Sequence, residues 1–455
     1  MRDIAKFGMD FSHGSIPKML FQFIGPLLLA NVLNSLYNTV DMVVIGQYAG
    51  NPGTVAVSLG GKMLMFFTII SIGLAGGGQI LIAQQVGAGK HQEIKLSIGT
   101  LFTLLGLISI IFSLAGLAFS RNIIIWLNTP QESFDSALAY LEVTSIGLPL
   151  MFGYTAVSSV LRGMGDSKHP LFFIGIAALL NLILDLVFII YFNLGAMGTA
   201  LATVIGQGVS FGISIILLYK KRDKFFFDFK LKSFALDREK TLTILRIGLP
   251  MAAHSVMIQI PQLFMISFVN KFGIIQAAAY GIGDKIIHLL NIVQQSMQQG
   301  GSAMIGQNIG AGKHERVREI IRTILTVNVS VSAALSVFLL VFPDVVFSIF
   351  TKDTLVLDYS FSFMLITALF LFFTSILSAF SSVTTGTGNA TLGFLAGFLD
   401  GVVFRIIFSF LFGFGLHMEV TGFFLGNTLA RIGPILVHCI YYFSGVWKKR
   451  KLLVD

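Results

Sequence analysis

Long apolar stretches separated by short polar segments follow one another from Ile16 to the C-terminal tail. Each is close to the roughly 20 residues that a helix needs to cross a bilayer. In lipid, only helices and closed barrels satisfy their own backbone hydrogen bonds. These stretches lack the strict alternation of barrel strands, so the pattern predicts an all-α integral membrane protein.

Twelve membrane-spanning helices are predicted, six on each side of one long polar segment. The first six spans are 16–46, 54–84, 94–118, 137–161, 170–192 and 195–219. The second six spans are 243–269, 276–307, 319–342, 358–384, 390–412 and 418–444. The predicted domains are an N-terminal six-helix lobe at 1–219, a basic cytoplasmic linker at 220–240 and a C-terminal six-helix lobe at 241–455.

The two sets of six spans are related in sequence. The run Gly87-Ala-Gly-Lys-His91 recurs unchanged as Gly310-Ala-Gly-Lys-His314, 223 positions later. The segment 158–165 matches 381–388 at the same offset. Because each repeat holds an even number of spans, both repeats enter the membrane in the same direction. This predicts two lobes related by a pseudo-twofold axis along the membrane normal, a design found in secondary transporters.

Charge is scarce and lies mostly on one side of the predicted membrane. Apolar residues make up 55% of the chain, charged residues 12%, and the net charge is +9. Only Arg121, Lys271 and Lys352 are basic residues of the opposite side. The positive-inside rule then predicts that both termini are cytoplasmic. A basic surface facing the lipids of the inner leaflet explains the net charge, so membrane lipids are expected partners and nucleic acid is not.

Several classes of protein are excluded by missing motifs. The Gly-Ala-Gly-Lys turns lack the spacing of a phosphate-binding loop, and the chain has no H-E-x-x-H or nucleophile elbow. The single cysteine, Cys439, permits no internal disulfide. A membrane enzyme is therefore not expected, and any uphill transport must use an ion gradient. No cofactor is expected beyond a coupling ion, H⁺ or Na⁺.

Acidic residues within the predicted spans are candidates for function, because an ionisable group there costs about 2.5–3.5 kcal/mol on insertion scales. Asp41, Asp185 and Thr203 all lie roughly 8–14 Å below the outer surface at 1.5 Å per residue. Each stands on a polar stripe with helical spacing. The three stripes are Asn34, Tyr37, Asn38 and Asp41; Asn181 and Asp185; and Thr203 and Gln207. These positions predict one polar pocket within the N-terminal half.

Two carboxyl groups in a pocket of low dielectric constant can bind a proton, or hold Na⁺ together with amide and hydroxyl oxygens. A sodium ion would be held by Asn181, Asp185 and Thr203. The alternative is that these polar groups only link helices by hydrogen bonds. The one basic residue inside the spans of this half, Lys62, lies on another helix. The pattern therefore favours a cation site.

The C-terminal half has a different set of polar residues. Asp400, Arg405 and Arg431 carry mixed signs, which favours a structural ion-pair cluster. Gln294 and Gln298 on the eighth span and Gln259 on the seventh are candidates for lining a substrate cavity. Lys62 and Lys285 occupy matching positions in the two halves. Their side chains either snorkel to the interface or pair with another group, or they take part in gating, and the sequence favours neither interpretation.

The chain resembles the MATE (multidrug and toxic compound extrusion) transporters along essentially its whole length. The resemblance rests on several motifs taken together: Gly14-Ser-Ile-Pro-Lys18, Leu36-Tyr-Asn-Thr-Val-Asp41, the paired Gln-x-x-Gly-Ala-Gly turns, Leu161-Arg-Gly-Met-Gly-Asp166, Asn181-Leu-Ile-Leu-Asp185 and Gly195-Ala-Met-Gly-Thr-Ala-Leu-Ala-Thr203. It is most similar to the DinF-like prokaryotic branch.

The resemblance implies particular roles for some of these residues. In the DinF-like branch, an aspartate on span one, an Asn-x-x-x-Asp pair on span five and a threonine on span six form the cation pocket. Those positions are Asp41, Asn181–Asp185 and Thr203 here. The NorM-like branch instead places acids on spans seven and ten, where this chain has Gln259 on span seven and no acid on span ten. Met257 is among the methionines that could line an adaptable substrate cavity.

The expected function is a cation-coupled antiporter that exports amphipathic, often cationic organic compounds by alternating access. The expected location is a prokaryotic plasma membrane, and the expected state is a monomer. A flippase for lipid-linked precursors, which shares the superfamily and the fold, is the alternative. Such a flippase would favour a strongly basic cavity for pyrophosphate, and the spans contain few basic residues.

Overall fold

The computed structural model describes residues 8–453, with the backbone only at 223 and 224, and every regular element in this range is helical. Twelve long helices dominate. Those of the first half are α1 (Ile16–Tyr48), α2 (Gly50–Gly87), α3 (His91–Trp126), α4 (Gln131–Gly163), α5 (Lys168–Tyr191) and α6 (Gly195–Lys220). Those of the second half are α7 (Arg238–Val269), α8 (Ile274–Gly310), α9 (His314–Val341), α10 (Ser360–Gly386), α11 (Ala390–Gly415) and α12 (Glu419–Phe443).

Eleven of the described helices are long and apolar enough to span a membrane, which confirms the predicted all-α membrane fold. The twelfth long helix, α8, has 37 residues but is more polar, with Asp284, Lys285 and six glutamines along it. Large apolar side chains such as Leu114, Ile111 and Phe443 are exposed on the helices. Soluble proteins rarely expose so much apolar surface to water, so we assign these side chains to the surface that faces lipid.

Departures from α-helical geometry interrupt three of the described helices. In α5, a π-helical turn at Leu186–Tyr191 follows Asp185 directly. In α11, two π-helical turns occur, at Leu399–Phe404 and Leu411–Gly415. In α12, the helix breaks between Leu429 and Ile432. Turns of this kind are rare and concentrate at functional sites.

The chain forms two compact units. One contains residues 21–252, and the other contains residues 253–453 together with the N-terminal segment 11–20. The residues just before α1 and the first turn of that helix therefore belong to the second unit, where Phe11 accepts a hydrogen bond from Asn308 (3.1 Å) and donates one to Gln307 (3.1 Å). Of the basic residues predicted to face the cytoplasm, Arg2 and Lys6 lie outside the described residues.

The linker between the halves is ordered by aromatic packing as well as by charge. Phe225 and Phe227 are buried, although the segment is strongly basic. Asp228 pairs with Lys95 of α3 at 2.7 Å, and Gly99 lets the linker approach that helix closely. The linker is therefore part of the first unit's core at this end of α3.

Candidate functional site

The predicted pocket is formed by three helices of the first unit. Asp41 lies near the end of α1, Asp185 lies where α5 turns from α-helical to π-helical, and Thr203 lies in α6. The exposed fractions are 7% for Asp41, 0% for Asp185 and 4% for Thr203. Gly206 permits the close approach of α6 to α5, because a Cβ atom there would be 2.9 Å from the carbonyl oxygen of Ala177. The helices thus bring side chains from distant parts of the sequence to one buried place.

The pocket places two carboxyl groups side by side. The carboxyl of Asp41 contacts that of Asp185 and also the amide of Asn181. The Asn181 amide donates a long hydrogen bond of 3.5 Å to the hydroxyl of Thr203. Tyr37 lies among Asp41, Asp185 and Thr203. The four residues predicted from the sequence as a cation site therefore meet.

The carboxyl oxygens of this pocket lack donors. One oxygen of Asp41 and both oxygens of Asp185 are buried and accept no hydrogen bond within residues 8–453. Neither carboxyl forms an ion pair in the same range, and Lys62 is exposed. Two unpaired negative charges in contact inside a membrane protein are strongly unfavourable. The arrangement is relieved when a proton or a metal cation binds between them.

The remaining predicted pocket residues fall into two groups. Gln207 is buried in α6 beyond Thr203. Asn34 and Asn38 are exposed, and the Asn38 amide donates to the backbone carbonyl of Asn34 at 3.0 Å. The tyrosine of the same stripe, Tyr37, turns into the pocket whereas the two asparagines do not contact it.

The residues predicted to line a substrate cavity lie in the second unit. Met257, Gln259 and Gln298 are half-buried, whereas Gln294 is buried and donates to Ser332 of α9 at 3.1 Å. Gln294 thus binds a neighbouring helix. The cavity assignment of these four residues stays a prediction.

Two polar residues of the membrane region were missed by sequence reasoning. Tyr140 of α4 is buried and lies close to both Asp41 and Asp185, where Gly60 leaves room for its ring. Asp284 of α8 accepts a hydrogen bond from Gln262 at 2.9 Å. A lone tyrosine in an apolar span gives no signal in a single sequence. Asp284, by contrast, is an acid within a span, and the cost of burying it was a signal that could have found it.

The mixed-sign cluster of the second half forms as predicted. Arg405 donates to Asp400 at 3.1 Å, and Arg431 donates to its other oxygen at 2.7 Å. Asp400 and Arg405 are fully buried, and the guanidinium of Arg431 lies over the ring of Phe370. The predicted ion pairs are therefore present, and the purely structural role of the cluster stays a prediction.

Twelve long helices in two related halves, with an unpaired acidic pocket inside the first half, define a membrane transporter built from repeats. The MatE family profile matches residues 26–187 and again residues 250–411. The chain belongs to the MATE family of transporters, whose members are not enzymes.

Similar proteins agree with this assignment over nearly the full length. The chain is 27% identical to the probable multidrug resistance protein YoeA of Bacillus subtilis, over 97% of this chain and 96% of that protein. It is 25% identical to the probable multidrug resistance protein NorM of Thermotoga maritima, over 96% and 94%. A solved outward-facing MATE transporter of the MOP superfamily superimposes with a TM-score of 0.89 at 20% identity, covering 98% of this chain and 99% of the other. The protein is therefore a multidrug-type membrane transporter for small molecules.

Proposed function

We propose that this protein exports amphipathic, often cationic organic compounds in exchange for a monovalent cation, H⁺ or Na⁺, that binds between Asp41 and Asp185. The observation that carries the proposal is the contact of these two carboxyl groups, three of whose oxygens are buried and unpaired. The names of the relatives, which are multidrug resistance proteins, support the class of substrate.

The exchange follows from the charge of the pocket. A cation that enters from outside neutralises the carboxyl pair and is coordinated by the carboxyl oxygens that accept no hydrogen bond. Asn181 and Thr203 supply further oxygen ligands. Neutralisation changes the hydrogen bonding between α1, α5 and α6, and the affinity for the exported compound falls. The compound leaves outward, and the cation is released to the cytoplasm when the same site opens inward. Pro26 gives α1 a place to bend, because proline removes one backbone hydrogen bond.

The cellular setting belongs to the same proposal. The protein acts as a monomer in a prokaryotic plasma membrane, with both termini in the cytoplasm. The basic residues of the linker 220–240 and of the tail then face the anionic inner leaflet.

Ethidium efflux from proteoliposomes under an imposed H⁺ or Na⁺ gradient tests the proposal. The wild type is expected to move ethidium under one of the two gradients, and that gradient identifies the ion. Asp41→Asn is expected to abolish efflux, whereas Asp135→Asn, an exposed aspartate at the start of α4, should leave it unchanged. Gradient-driven efflux at the wild-type rate in Asp41→Asn would refute the coupling role of the pocket.

A further inference from the structure

Equivalent glycine contacts in the two halves show which residue of the second half corresponds to which residue of the first. A Cβ atom at Gly163 would contact the carbonyl of Gln79, and one at Gly386 would contact the carbonyl of Ser302. Both pairs are separated by 223 positions. Later in the chain, Gly198 packs against Phe188, and Gly422 packs against Phe412. These pairs are separated by 224 positions, so the second half contains one additional residue between the two places.

The additional residue is accommodated in α11. A π-helical turn holds one residue more than an α-helical turn. The turn at Leu399–Phe404 has no equivalent in α5, which is α-helical from Lys168 to Asp185. The later turn at Leu411–Gly415, in contrast, corresponds to Leu186–Tyr191 of α5. The offset is therefore 224 from Arg405 onward, and Asn193 and His417 agree with it, with φ angles of 53° and 54°.

This register reveals what the second half carries in place of the cation pocket. Arg405 takes the position of Asn181, Ser409 that of Asp185, Asn427 that of Thr203 and Arg431 that of Gln207. The position of Asp41 falls on Phe264 or Met265. Two aspartates of the first half are thus replaced by uncharged residues, and two uncharged residues are replaced by arginines. The charge of the pocket is reversed between the halves.

The two arginines have more hydrogen-bond donors than the acceptors around them can satisfy. Both donate to the single carboxylate of Asp400, yet the Nε atom of each is buried and finds no acceptor within residues 8–453. Buried donors are nearly always paired in proteins, and an unpaired one costs free energy. The side chain of Arg405 is 2% exposed, whereas that of Arg431 is 15% exposed and offers the access to the cluster.

The other ionisable groups around the cluster do not complete it. Asp284 interacts electrostatically with Arg405 but forms no ion pair with it in the described part of the chain, and it accepts from Gln262 instead. His254 lies beside Asp400 and Arg431, but a histidine side chain carries no negative charge that could balance the arginines. His438, farther along, hydrogen-bonds Thr384 at 2.8 Å.

We propose that Arg405 and Arg431 form a subsite that receives the anionic group of transported amphipathic compounds, such as a carboxylate, a sulfonate or a phosphate. Guanidinium groups suit this role because they present several N–H donors in one plane to the oxygens of such a group. The anionic group contacts Arg431 directly, and Arg405 holds Asp400 in place. The subsite rests on the proposed export of amphipathic compounds and extends the substrate class from cations to zwitterions and anions.

Binding of a matched pair of dyes tests the subsite. Rhodamine B carries a free carboxylate, and rhodamine B ethyl ester differs from it only by the blocked carboxyl. Fluorescence anisotropy with the purified full-length protein gives the affinity for each dye. Arg431→Gln installs the residue that the first half has at the equivalent position. It is expected to weaken rhodamine B by about tenfold, the loss of one charge-assisted hydrogen bond, and to leave the ester within about twofold.

Two further variants separate charge at the site from charge elsewhere. Arg431→Lys keeps the charge without the guanidinium and should weaken rhodamine B less than Arg431→Gln. Arg322→Gln removes an exposed arginine of α9 and should change neither dye. Retained ester affinity also shows that Arg431→Gln is folded.

Three results would overturn the subsite: equal weakening of both dyes by Arg431→Gln, unchanged affinity for rhodamine B, or a wild type that binds the ester and not the carboxylate dye. These three results concern the subsite alone, because the proposed function predicts export of the ester under a cation gradient in each case. Failure of that export would refute the proposed function, and the subsite would still be decided by the dye affinities.

Discussion

The carboxyl group of Asp41 on α1 lies against that of Asp185 on α5, and no basic side chain of the described residues forms an ion pair with either. Inside a membrane protein, such a pair is stable only when a proton or another cation compensates the charge. The two residues are 144 positions apart in sequence, from 41 to 185, so the chain brings them together through its tertiary fold. In the proposed function, a cation bound between the two carboxyl groups supplies this compensation.

Asp185→Asn is expected to abolish coupled efflux without loss of stability. The substitution removes one of two adjoining carboxyls that compete for the same cation, so like-charge repulsion falls while the neutral amide keeps the shape. Ethidium efflux and the Tm of the purified protein check the prediction. The expected result is an efflux rate reduced at least about tenfold, with a Tm equal to or above that of the wild type. A large fall in Tm would instead indicate that Asp185 mainly supports the fold.

Thr203→Val is expected to weaken cation coupling by removing one hydroxyl oxygen at nearly constant volume. Hydrogen bonds to charged groups contribute about 1.5–3 kcal/mol, so the cation concentration for half-maximal efflux should rise by roughly tenfold or more. Thr203→Ser is the matched control, since it keeps the hydroxyl and loses only a methyl group. If both variants shift the cation dependence equally, the hydroxyl has no part in coupling.

Asp400→Asn is expected to destabilise the second half, because it leaves Arg405 and Arg431 buried without their shared carboxylate. Breaking a buried ion pair by removing one partner costs about 3–5 kcal/mol. The Tm should therefore fall clearly, whereas Asp358→Asn at an exposed aspartate should not change it. Combining Asp400→Asn with Arg431→Gln should restore part of the loss, since one unpaired charge fewer is buried. Additive losses in the double variant would argue against coupling of the two residues.

Docking of the linker onto α3 is expected to depend on pH through Asp228. The ammonium of Lys95 at 2.7 Å and the hydroxyl of Ser233 hold the pKa of this carboxyl below its usual range. A lowered pKa stabilises the folded form above the ordinary aspartate pKa of about 3.9, and the contribution is lost as the pH falls below it. Hydrogen exchange of residues 225–235 should be slow at neutral pH and faster in Asp228→Asn. Equal protection in the two proteins at neutral pH would contradict this role.

Much of the pocket could be predicted from the sequence because its residues obey two simple regularities. The helical period puts Asn181 and Asp185 on one face, and the rise per residue puts Asp41, Asp185 and Thr203 at one depth. Tyr37 follows from the same stripe. Asn34 and Asn38 are exposed, because a stripe on a helix specifies a face and not which members of that face reach a neighbouring helix.

The features that sequence patterns did not predict depend on packing between helices. Tyr140 reaches the pocket because Gly60 leaves space for its ring, and a single sequence does not indicate which side chain fills which gap. The π-helical turn at Leu399–Phe404 inserts one residue without changing the apolar pattern of the span, so the constant offset of 223 hid the equivalence of Arg405 and Asn181. The linker was expected to be only polar and basic, yet Phe225 and Phe227 anchor it in the first unit.

The most direct measurement is release of the coupling cation on addition of substrate to the purified protein. In weakly buffered solution, a pH indicator reports released protons, and protein preloaded with radioactive sodium reports released Na⁺. Ethidium is expected to displace one of these ions from the wild type and from Asp135→Asn, and none from Asp41→Asn. Binding of ethidium to the wild type without release of either ion would contradict exchange at the Asp41–Asp185 pair.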